Sequence, residues 1–487
     1  MITFSLSFIA LILGYVLYGK FISRIFGPDD RVTPAVAKAD GVDFIVLPNW
    51  KVFMIQFLNI AGTGPIFGAI MGAKFGPVAY LWIVLGCIFA GAVHDYLCGM
   101  LSMRHGGASL PELVGLYLGK STRAVTLVFT VLLLIMVGTV FVYSPAEILH
   151  TIGGETMMWV GIIFVYYIIA TMLPIDKIIG KIYPLFAFSL LFMAAALMIV
   201  LFVKMPHLPE LWTNFYNMGK EAQPEKWTDA IFPALFITIA CGAISGFHAT
   251  QSPLMARCVK SEKMGRPIFY GAMITEGMVA LIWATVSMWF FYDAPTPGYE
   301  LIAGAEKGFY TSAPAVVNLV CNDWLGVVGA ILAMLGVVAA PITSGDTAFR
   351  SARLIVAEWL KANQRPIAKR LMICVPMFAL SIAMLVWQIE NPDGFNTIWQ
   401  YFGWSNQTLS VFTLWTVTVY LVRNKRCYWI TLIPALFMTT VCSTYAFVSK
   451  QMFGLGDTGY IIGLCCLGVA AICFGLWYNN ESKKLNK

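Results

Sequence analysis

Several ionisable side chains of this sequence lie inside long apolar runs, where a charge is costly. They are His94, Asp95, Glu276 and Asp346. An acid in such a place can carry a proton, so we predict that these residues take part in proton or ion coupling. Two structural interpretations stay open. Asp346 can pair with Arg350 one turn on, and His94 and Asp95 can form a hydrogen bond between helices.

A helix-breaking segment, Gly62-Thr63-Gly64-Pro65, falls in the middle of an apolar stretch. Glycine and proline interrupt the helix and free backbone groups, which in lipid must line a cavity or meet a ligand. The free N–H groups and the positive dipole end of a half-helix suit a carboxylate. We therefore predict that Gly62, Thr63 and Gly64 bind substrate; the alternative is a packing kink.

A second break lies at residues 241–253, where Ser245, His248 and Gln251 stand beside two glycines. We add these three residues to the predicted substrate site. The first broken segment runs outward from the cytoplasm, and the second runs inward, five spans later. This arrangement predicts an inverted repeat of five plus five helices with a LeuT-like core and a site at the membrane midplane.

Two polar pairs extend the candidate site. Thr343 and Ser344 are adjacent hydroxyls that can bind Na⁺ together with carbonyls of the first break, or simply join helices by hydrogen bonds. Asn406 and Gln407 either line the cavity or bond between helices. No firm metal site and no cofactor is predicted, and the coupling ion is H⁺ or Na⁺.

These residues need helices that span a lipid bilayer. The chain is 59% hydrophobic and 12% charged, against roughly 25% charged in soluble domains. The sequence predicts an all-α polytopic membrane protein of about thirteen transmembrane helices. The predicted spans are 3–24, 51–73, 76–103, 124–149, 157–173, 182–203, 229–256, 267–292, 324–360, 371–389, 397–422, 428–447 and 458–478.

Loop charges orient these spans. Alternate loops, beginning with the loop after the first span, hold 24 Lys and Arg residues, and the intervening loops hold six. By the positive-inside rule the N-terminus is outside and the C-terminus is cytoplasmic. Span 324–360 is too long for a simple crossing; the charge pattern favours one long or broken segment. The outer loop near 293–323 is either a short helix or lid over the outer mouth, or an ordinary connector.

The sequence gives little support to other classes of protein. The basic residues are dispersed, which argues against nucleic-acid binding, and no phosphate loop or hydrolase motif is present. The eleven cysteines show no metal-binding spacing and are read as small buried hydrophobes. A channel or a nutrient-sensing membrane receptor remains the alternative from another class. The oligomeric state is open.

Several short segments, taken together, carry a resemblance. They are 33–35, 40–44, 62–65, 89–95, 244–249, 270–273, 345–350 and 404–407. In this order they resemble the carbon starvation CstA family. The resemblance implies an ion-coupled secondary transporter of the bacterial inner membrane, related to the amino acid–polyamine–cation superfamily. It implies uptake of pyruvate, with protons, or alternatively of peptides during carbon shortage.

The resemblance also implies a division of the single membrane domain, 1–487. An extra span at 1–26 and a cytoplasmic loop at 27–50 precede a transport core at 51–422, and two additional spans lie in 423–487. The chain departs from the family pattern in two ways: many members are longer, and 250–253 read Thr-Gln-Ser-Pro where Ser-Ser-Gly-Thr is expected. The second departure leaves the substrate open.

Overall fold

A computed structural model describes residues 1–41, 43–172, 175–222, 224, 229–293, 313–364, 366–391 and 394–485. These residues form helices and connecting loops, with no strand among them. The longer helices, in chain order, are α1 Ile2–Phe26, α2 Asn49–Ile60, α3 Gly64–Ala73, α4 Val78–Arg104, α5 Leu110–Leu118, α6 Lys120–Ile152, α7 Thr156–Met172, α8 Ile175–Lys204, α9 Ile231–Leu235 with Phe236–Thr238, α10 His248–Ala256, α11 Glu262–Tyr292, α12 Ala313–Trp359, α13 Ile367–Glu390, α14 Gly394–Arg423, α15 Trp429–Val448 and α16 Asp457–Leu485. Two short helices, Pro34–Ala37 and Met218–Ala222, lie in the connecting loops.

The prediction of a polytopic all-α membrane protein is confirmed. Within the described residues nine helices are long and apolar enough to cross a bilayer, and the bent pair α2 and α3 would form a tenth crossing. Three further predicted spans, 157–173, 229–256 and 397–422, also contain helix. The first holds the short helix α7, the helix of the second is interrupted, and the third holds α14, which is rich in polar residues. Thirteen crossings therefore stay a prediction.

Both predicted breaks are present. The first separates α2 from α3 at residues 61–63, and the two helices are bent by 53°. The second occupies residues 239–247, between α9 and α10. Pro65 is the second residue of α3 and has no N–H to extend the helix before it, which accounts for the position of the first break.

The long ninth span is one helix with a kink near its start. α12 begins at Ala313, and Gly326 at φ +62° interrupts its regular geometry. From Gly329 to Trp359 it runs as a single candidate crossing through Pro341. The candidate crossing Gly329–Trp359 lies within the predicted span 324–360, and the helical residues before the kink extend α12 into the segment assigned to the outer loop. The rest of that loop, 294–312, lies outside the described residues.

Burial ranks the helices from the centre to the lipid-facing edge. The most apolar stretches of α4 and α11 are 83% buried, whereas that of α16 is 11% buried. α10 packs on α4, and α12 packs on α6 and α8. The candidate residues of α4, α10, α11 and α12 therefore stand in the middle of the bundle.

The loop at 27–50 is packed against the other connectors on its side of the bundle. The Thr33 hydroxyl donates to the Val259 carbonyl at 2.7 Å. The guanidinium of Arg104, at the end of α4, lies 3.1 Å from the buried carboxylate of Glu262. These contacts tie the loop and the ends of α4 and α11 into one layer.

Candidate functional site

Asp95 is the centre of a chain of ionisable side chains from three helices. Its Oδ1 lies 2.8 Å from Nδ1 of His94, and its Oδ2 lies 2.9 Å from Nδ1 of His248 at the start of α10. All three side chains are fully buried. A carboxylate accepts but cannot donate, so each imidazole presents an Nδ1–H to Asp95. Asp95 thus makes a hydrogen bond between helices, the structural interpretation that the sequence left open, and its partner is His248.

Glu276 extends this chain on α11. Its Oε2 lies 3.5 Å from Nε2 of His248, and it is fully buried. Neither of its oxygens, nor Nε2 of His248, makes a well-formed hydrogen bond within the described residues. The sequence left Glu276 without a local partner, and the structure supplies one from the second broken helix. We call His94, Asp95, His248 and Glu276 the acid–histidine chain.

The charge of the acid–histidine chain constrains its chemistry. With Asp95 ionised and both imidazoles neutral, ionised Glu276 would give the buried group a net charge of −2. One proton held on either His248 or Glu276 lowers it to −1. Buried charge of one sign is strongly disfavoured, so the site has a physical reason to take up a cation.

The first break is neutral, and Ser344 stabilises it. The Ser344 hydroxyl contacts the carbonyls of Leu58 and Asn59 at 3.2 and 3.0 Å, which joins α12 to the end of α2. In the described part of the chain, the side-chain amide of Asn59 and the hydroxyl of Thr63 are buried and make no hydrogen bond. These groups are therefore available to a polar ligand when the site opens.

The two breaks touch each other. A Cβ atom placed on Gly64 would overlap the side chain of Cys241, so only glycine permits this approach. The predicted substrate residues Gly62, Thr63, Gly64, Ser245, His248, Gln251, Asn406 and Gln407 are all buried. In this conformation these residues are closed off from solvent.

Asn406 of α14 holds the second break in shape. Its Oδ1 accepts from the backbone N–H of Phe247 at 2.6 Å and from the Ser245 hydroxyl at 3.0 Å. The next residue, Gln407, donates to the carbonyl of Phe236 in α9 at 2.7 Å. Both amides thus satisfy backbone or side-chain groups that the interrupted helix leaves free. In this conformation Asn406 and Gln407 therefore form hydrogen bonds between helices, which is one of the two roles that the sequence left open for them.

Three other predicted residues lie outside the acid–histidine chain. The amide nitrogen of Gln251 lies 2.9 Å from the Thr250 hydroxyl and 3.5 Å from that of Ser351. Asp346 accepts a 2.6 Å hydrogen bond from the hydroxyl of Tyr183. The hydroxyl of Thr343 bonds to carbonyls of its own helix.

The sequence left a pairing of Asp346 with Arg350 open, and the structure shows both side chains hydrogen-bonded to other helices. Tyr183 of α8 supplies the hydrogen bond to Asp346, and a guanidinium nitrogen of Arg350 donates to the carbonyl of Ala170 at 2.7 Å. The two side chains are one helical turn apart, but their long-range partners determine where they point.

Sequence reasoning missed Cys241, Asn59 and Tyr183. Cys241 was read as a small hydrophobe, yet its thiol lies within 4.8 Å of ligand atoms of His248 and Glu276. The signal for Cys241 was its position one residue before the glycine of the second break. For Asn59 it was the position three residues before Gly62. No local signal marked Tyr183, which reads as an aromatic residue at the end of a span.

The chain matches the family model described as carbon starvation protein CstA over residues 1–152, 142–294 and 301–446. The chain belongs to this family. Its CstA-family relatives include a Haemophilus influenzae protein named uncharacterized membrane protein, which is 46% identical over 58% of this chain and 90% of its own length.

Two further relatives of this CstA-family chain carry functional names. The peptide transporter CstA of Campylobacter jejuni is 28% identical over 90% of this chain and 78% of its own length. The pyruvate/proton symporter of Escherichia coli is 25% identical over 89% of this chain and 79% of its own length. These two relatives are thus named as transporters of different substrates.

Solved structures of transporters share the fold. A manganese transporter of Eremococcus coleocola aligns with a TM-score of 0.59 at 12% identity, covering 92% of this chain and 99% of that one. A Na⁺-coupled sialic acid symporter aligns with a TM-score of 0.53 at 13% identity, covering 97% and 98%. At this identity the likeness concerns the fold and carries no substrate with it.

Proposed function

We propose that this protein is a proton-coupled secondary transporter that imports a small carboxylate such as pyruvate. The observation that carries this proposal is the acid–histidine chain, which is buried, is disposed to bind a proton, and lies beside the contact between the two broken helices. A residue that must bind or release a proton at the point where the helices are interrupted can link protonation to their movement.

The first break is the proposed site for the carboxylate. Gly62 and Thr63 follow the last turn of α2, and their N–H groups make no backbone hydrogen bond within the described residues. Asn59 and Thr63 add uncommitted side-chain groups. A small carboxylate needs few donors, and the N-terminal end of α3 favours its negative charge.

In the proposed cycle one proton binds to the pair of His248 and Glu276 and later leaves it. The outward-open protein binds a proton on this pair and substrate at the first break. The neutralised site then lets the two breaks repack around the substrate, and opening to the cytoplasm releases both. Without the proton, the extra buried charge opposes the closed arrangement.

The proposed topology has thirteen crossings, with the N-terminus outside and the C-terminus in the cytoplasm. Residues 51–422 form the core of five plus five helices, with α1 before it and α15 and α16 after it. Support comes from helix at every predicted span and from the alternation of loop charges.

Peptide uptake is the second candidate substrate assignment. The Campylobacter relative named as a peptide transporter matches 90% of this chain. The geometry is compatible as well, because the first break suits the carboxylate of a peptide and the acid–histidine chain suits its ammonium group. A small carboxylate remains the preferred substrate because it needs only the first of these two regions.

Na⁺ is the second candidate coupling ion. The hydroxyl of Ser344 and the carbonyls of Leu58 and Asn59 converge within hydrogen-bonding distance, and oxygens are the ligands that Na⁺ takes. In the described conformation Ser344 donates to these carbonyls, which satisfies them without an ion. Protons are therefore preferred.

The test is transport by the purified full-length protein in proteoliposomes. Labelled pyruvate is offered against unlabelled pyruvate, dipeptides and tripeptides, with an imposed pH gradient or an imposed Na⁺ gradient. We expect uphill pyruvate uptake that needs the pH gradient and disappears with a protonophore. Uptake that requires Na⁺ alone, or binding of pyruvate without counterflow, would contradict the proposal, the latter in favour of a receptor.

A further inference from the structure

Three different metal-ligand types converge at the second break. They are the thiol of Cys241, the imidazole Nε2 of His248 and the carboxylate of Glu276, and one ligand atom from each lies within 4.8 Å of the others. All three side chains are buried. They belong to the break itself, to α10 and to α11, so the group forms only in the folded chain.

The spacing of His248 and Glu276 suits two ligands of a tetrahedral ion. Two ligand atoms held at about 2.1 Å from one tetrahedral Zn²⁺ lie about 3.4 Å apart. His248 Nε2 and Glu276 Oε2 are 3.5 Å apart, and no well-formed hydrogen bond joins them. That spacing is loose for a hydrogen bond and fits two ligands of one ion.

Asp95 prepares His248 for this role. Its Oδ2 accepts from Nδ1 of His248 at 2.9 Å, which leaves Nε2 as the nitrogen that faces Glu276. Metal-ligating histidines usually have such a carboxylate on their other nitrogen, because it fixes the tautomer and raises the basicity of the ligand. His94 in turn donates to the second oxygen of Asp95.

The net charge of the site also favours a divalent ion. A thiolate and a carboxylate neutralise a divalent ion, and ionised Asp95 then leaves the group at −1. This is the net charge of the acid–histidine chain when it holds one proton and the thiol of Cys241 stays protonated. A divalent ion can therefore replace the proton without adding buried charge.

We propose that Cys241, His248 and Glu276 form a binding site for a borderline-soft divalent cation such as Zn²⁺. Asp95 orients His248 in this site through its hydrogen bond to Nδ1. The mixed sulfur, nitrogen and oxygen set suits Zn²⁺ or Co²⁺ better than Mg²⁺ or Ca²⁺, which prefer oxygen alone. The bound ion links the second break to α11 and occupies the proton position, so it blocks transport. The block, unlike the binding, rests on the proposed function.

Binding is tested on the purified full-length protein in detergent, without any substrate. Equilibrium dialysis against micromolar Zn²⁺ should show one tightly held ion per chain. Cys241→Ser should lower the affinity at least tenfold, whereas Cys98→Ser should leave it unchanged. Cys98 is the matched control, because its thiol is also buried near the second break, 3.7 Å from the Ala249 carbonyl. Equal binding by both variants and the unaltered protein would overturn the site.

Co²⁺ gives a second readout that does not depend on how well a variant folds. Co²⁺ bound to the unaltered protein should show a near-ultraviolet thiolate charge-transfer band that Zn²⁺ abolishes by displacement. A Co²⁺ complex without this band would exclude Cys241 as a ligand. Asp95→Asn should weaken Zn²⁺ binding about 10- to 100-fold while keeping the band, as expected of an outer-shell residue.

The block is tested separately in proteoliposomes. Zn²⁺ should inhibit pH-driven uptake by the unaltered protein, and whatever transport Cys241→Ser retains should resist the same Zn²⁺ concentration. Failure of the proposed function would remove this readout and leave dialysis and spectra intact. Absence of Zn²⁺ binding in a protein that transports would refute the metal site alone.

Discussion

Each of the two broken helices leaves backbone groups without helical hydrogen bonds, and the two breaks satisfy these groups with different chemistry. At the first break the Ser344 hydroxyl donates to carbonyls of α2, and the uncommitted side chains there, Asn59 and Thr63, are neutral. At the second break Asn406 holds the backbone, and His248 leads directly into a chain of buried acids. One region is neutral and hydrogen-bonding; the other carries charge.

This difference suggests how the work is divided. A neutral break with free N–H groups can recognise a carboxylate without competing charges. A charged break can respond to protons or metal ions but would repel a carboxylate unless it were first neutralised. The two breaks pack directly on each other at Gly64 and Cys241. A change of charge at the second break can therefore alter the packing of the first.

The largest effect is expected from removing the proton acceptor of the charged break. Glu276→Gln should abolish uphill uptake driven by a pH gradient, at least a tenfold loss, because the amide cannot exchange a proton with His248. Substrate binding at the neutral break should persist, measured as counterflow of labelled substrate at equal pH.

Glu147→Gln is the matched control for this change. Glu147 is a glutamate within α6, partly buried and outside the acid–histidine chain. Its substitution should leave the pH-driven uptake in place. Unchanged pH-driven uptake by Glu276→Gln would show that the second break is not the coupling region.

The next largest effect is expected where the two breaks touch. Gly64→Ala should lower the free energy of unfolding by about 2–3 kcal/mol, because the new methyl group overlaps Cys241 and the backbone must shift. Thermal melting of the purified protein measures this change. Gly161→Ala in α7, where nothing lies within 4 Å of the new methyl group, should melt normally; equal melting of the two variants would refute the close contact.

A smaller loss is expected from the residue that holds the second break. Asn406→Ala removes the acceptor of the Phe247 N–H and leaves that donor buried, which costs about 1–2 kcal/mol. Melting and uptake should both fall. Asn391→Ala, just after α13, is the control, because among the described residues its amide bonds to the Trp387 carbonyl of the helix it follows. If the two variants behave alike, Asn406 does not support the break.

The smallest effect is expected at the neutral break. Ser344→Ala should cost about 1 kcal/mol, the usual net worth of a neutral hydrogen bond, and uptake should stay independent of Na⁺. Thr343→Val should cost less, because among the described residues its hydroxyl bonds to carbonyls of its own helix, α12. A Na⁺ requirement that Ser344→Ala removes would instead assign the coupling ion to this break.

Much of the site was visible in the sequence as separate residues. His94, Asp95, His248 and Glu276 stand out because ionisable groups are rare in apolar helices, and the glycines and proline marked both breaks. Their contacts were not visible, since His248 and Asp95 are 153 residues apart. Cys241 was missed because a buried thiol has the same sequence pattern as any small apolar residue. A pair between Asp346 and Arg350 was left open, because helical spacing predicts neighbours on one helix but not partners from another.

The sequence by itself determined that the chain is an all-helical membrane protein, where its helices are interrupted, and to which family it belongs. These properties depend on composition, on apolar runs and on local backbone chemistry, all of which are read along the chain. Only the tertiary structure decided that the second break carries the charge and that Ser344 stabilises the first. Those contacts depend on how distant helices turn toward one another, and that is set by packing across the whole bundle.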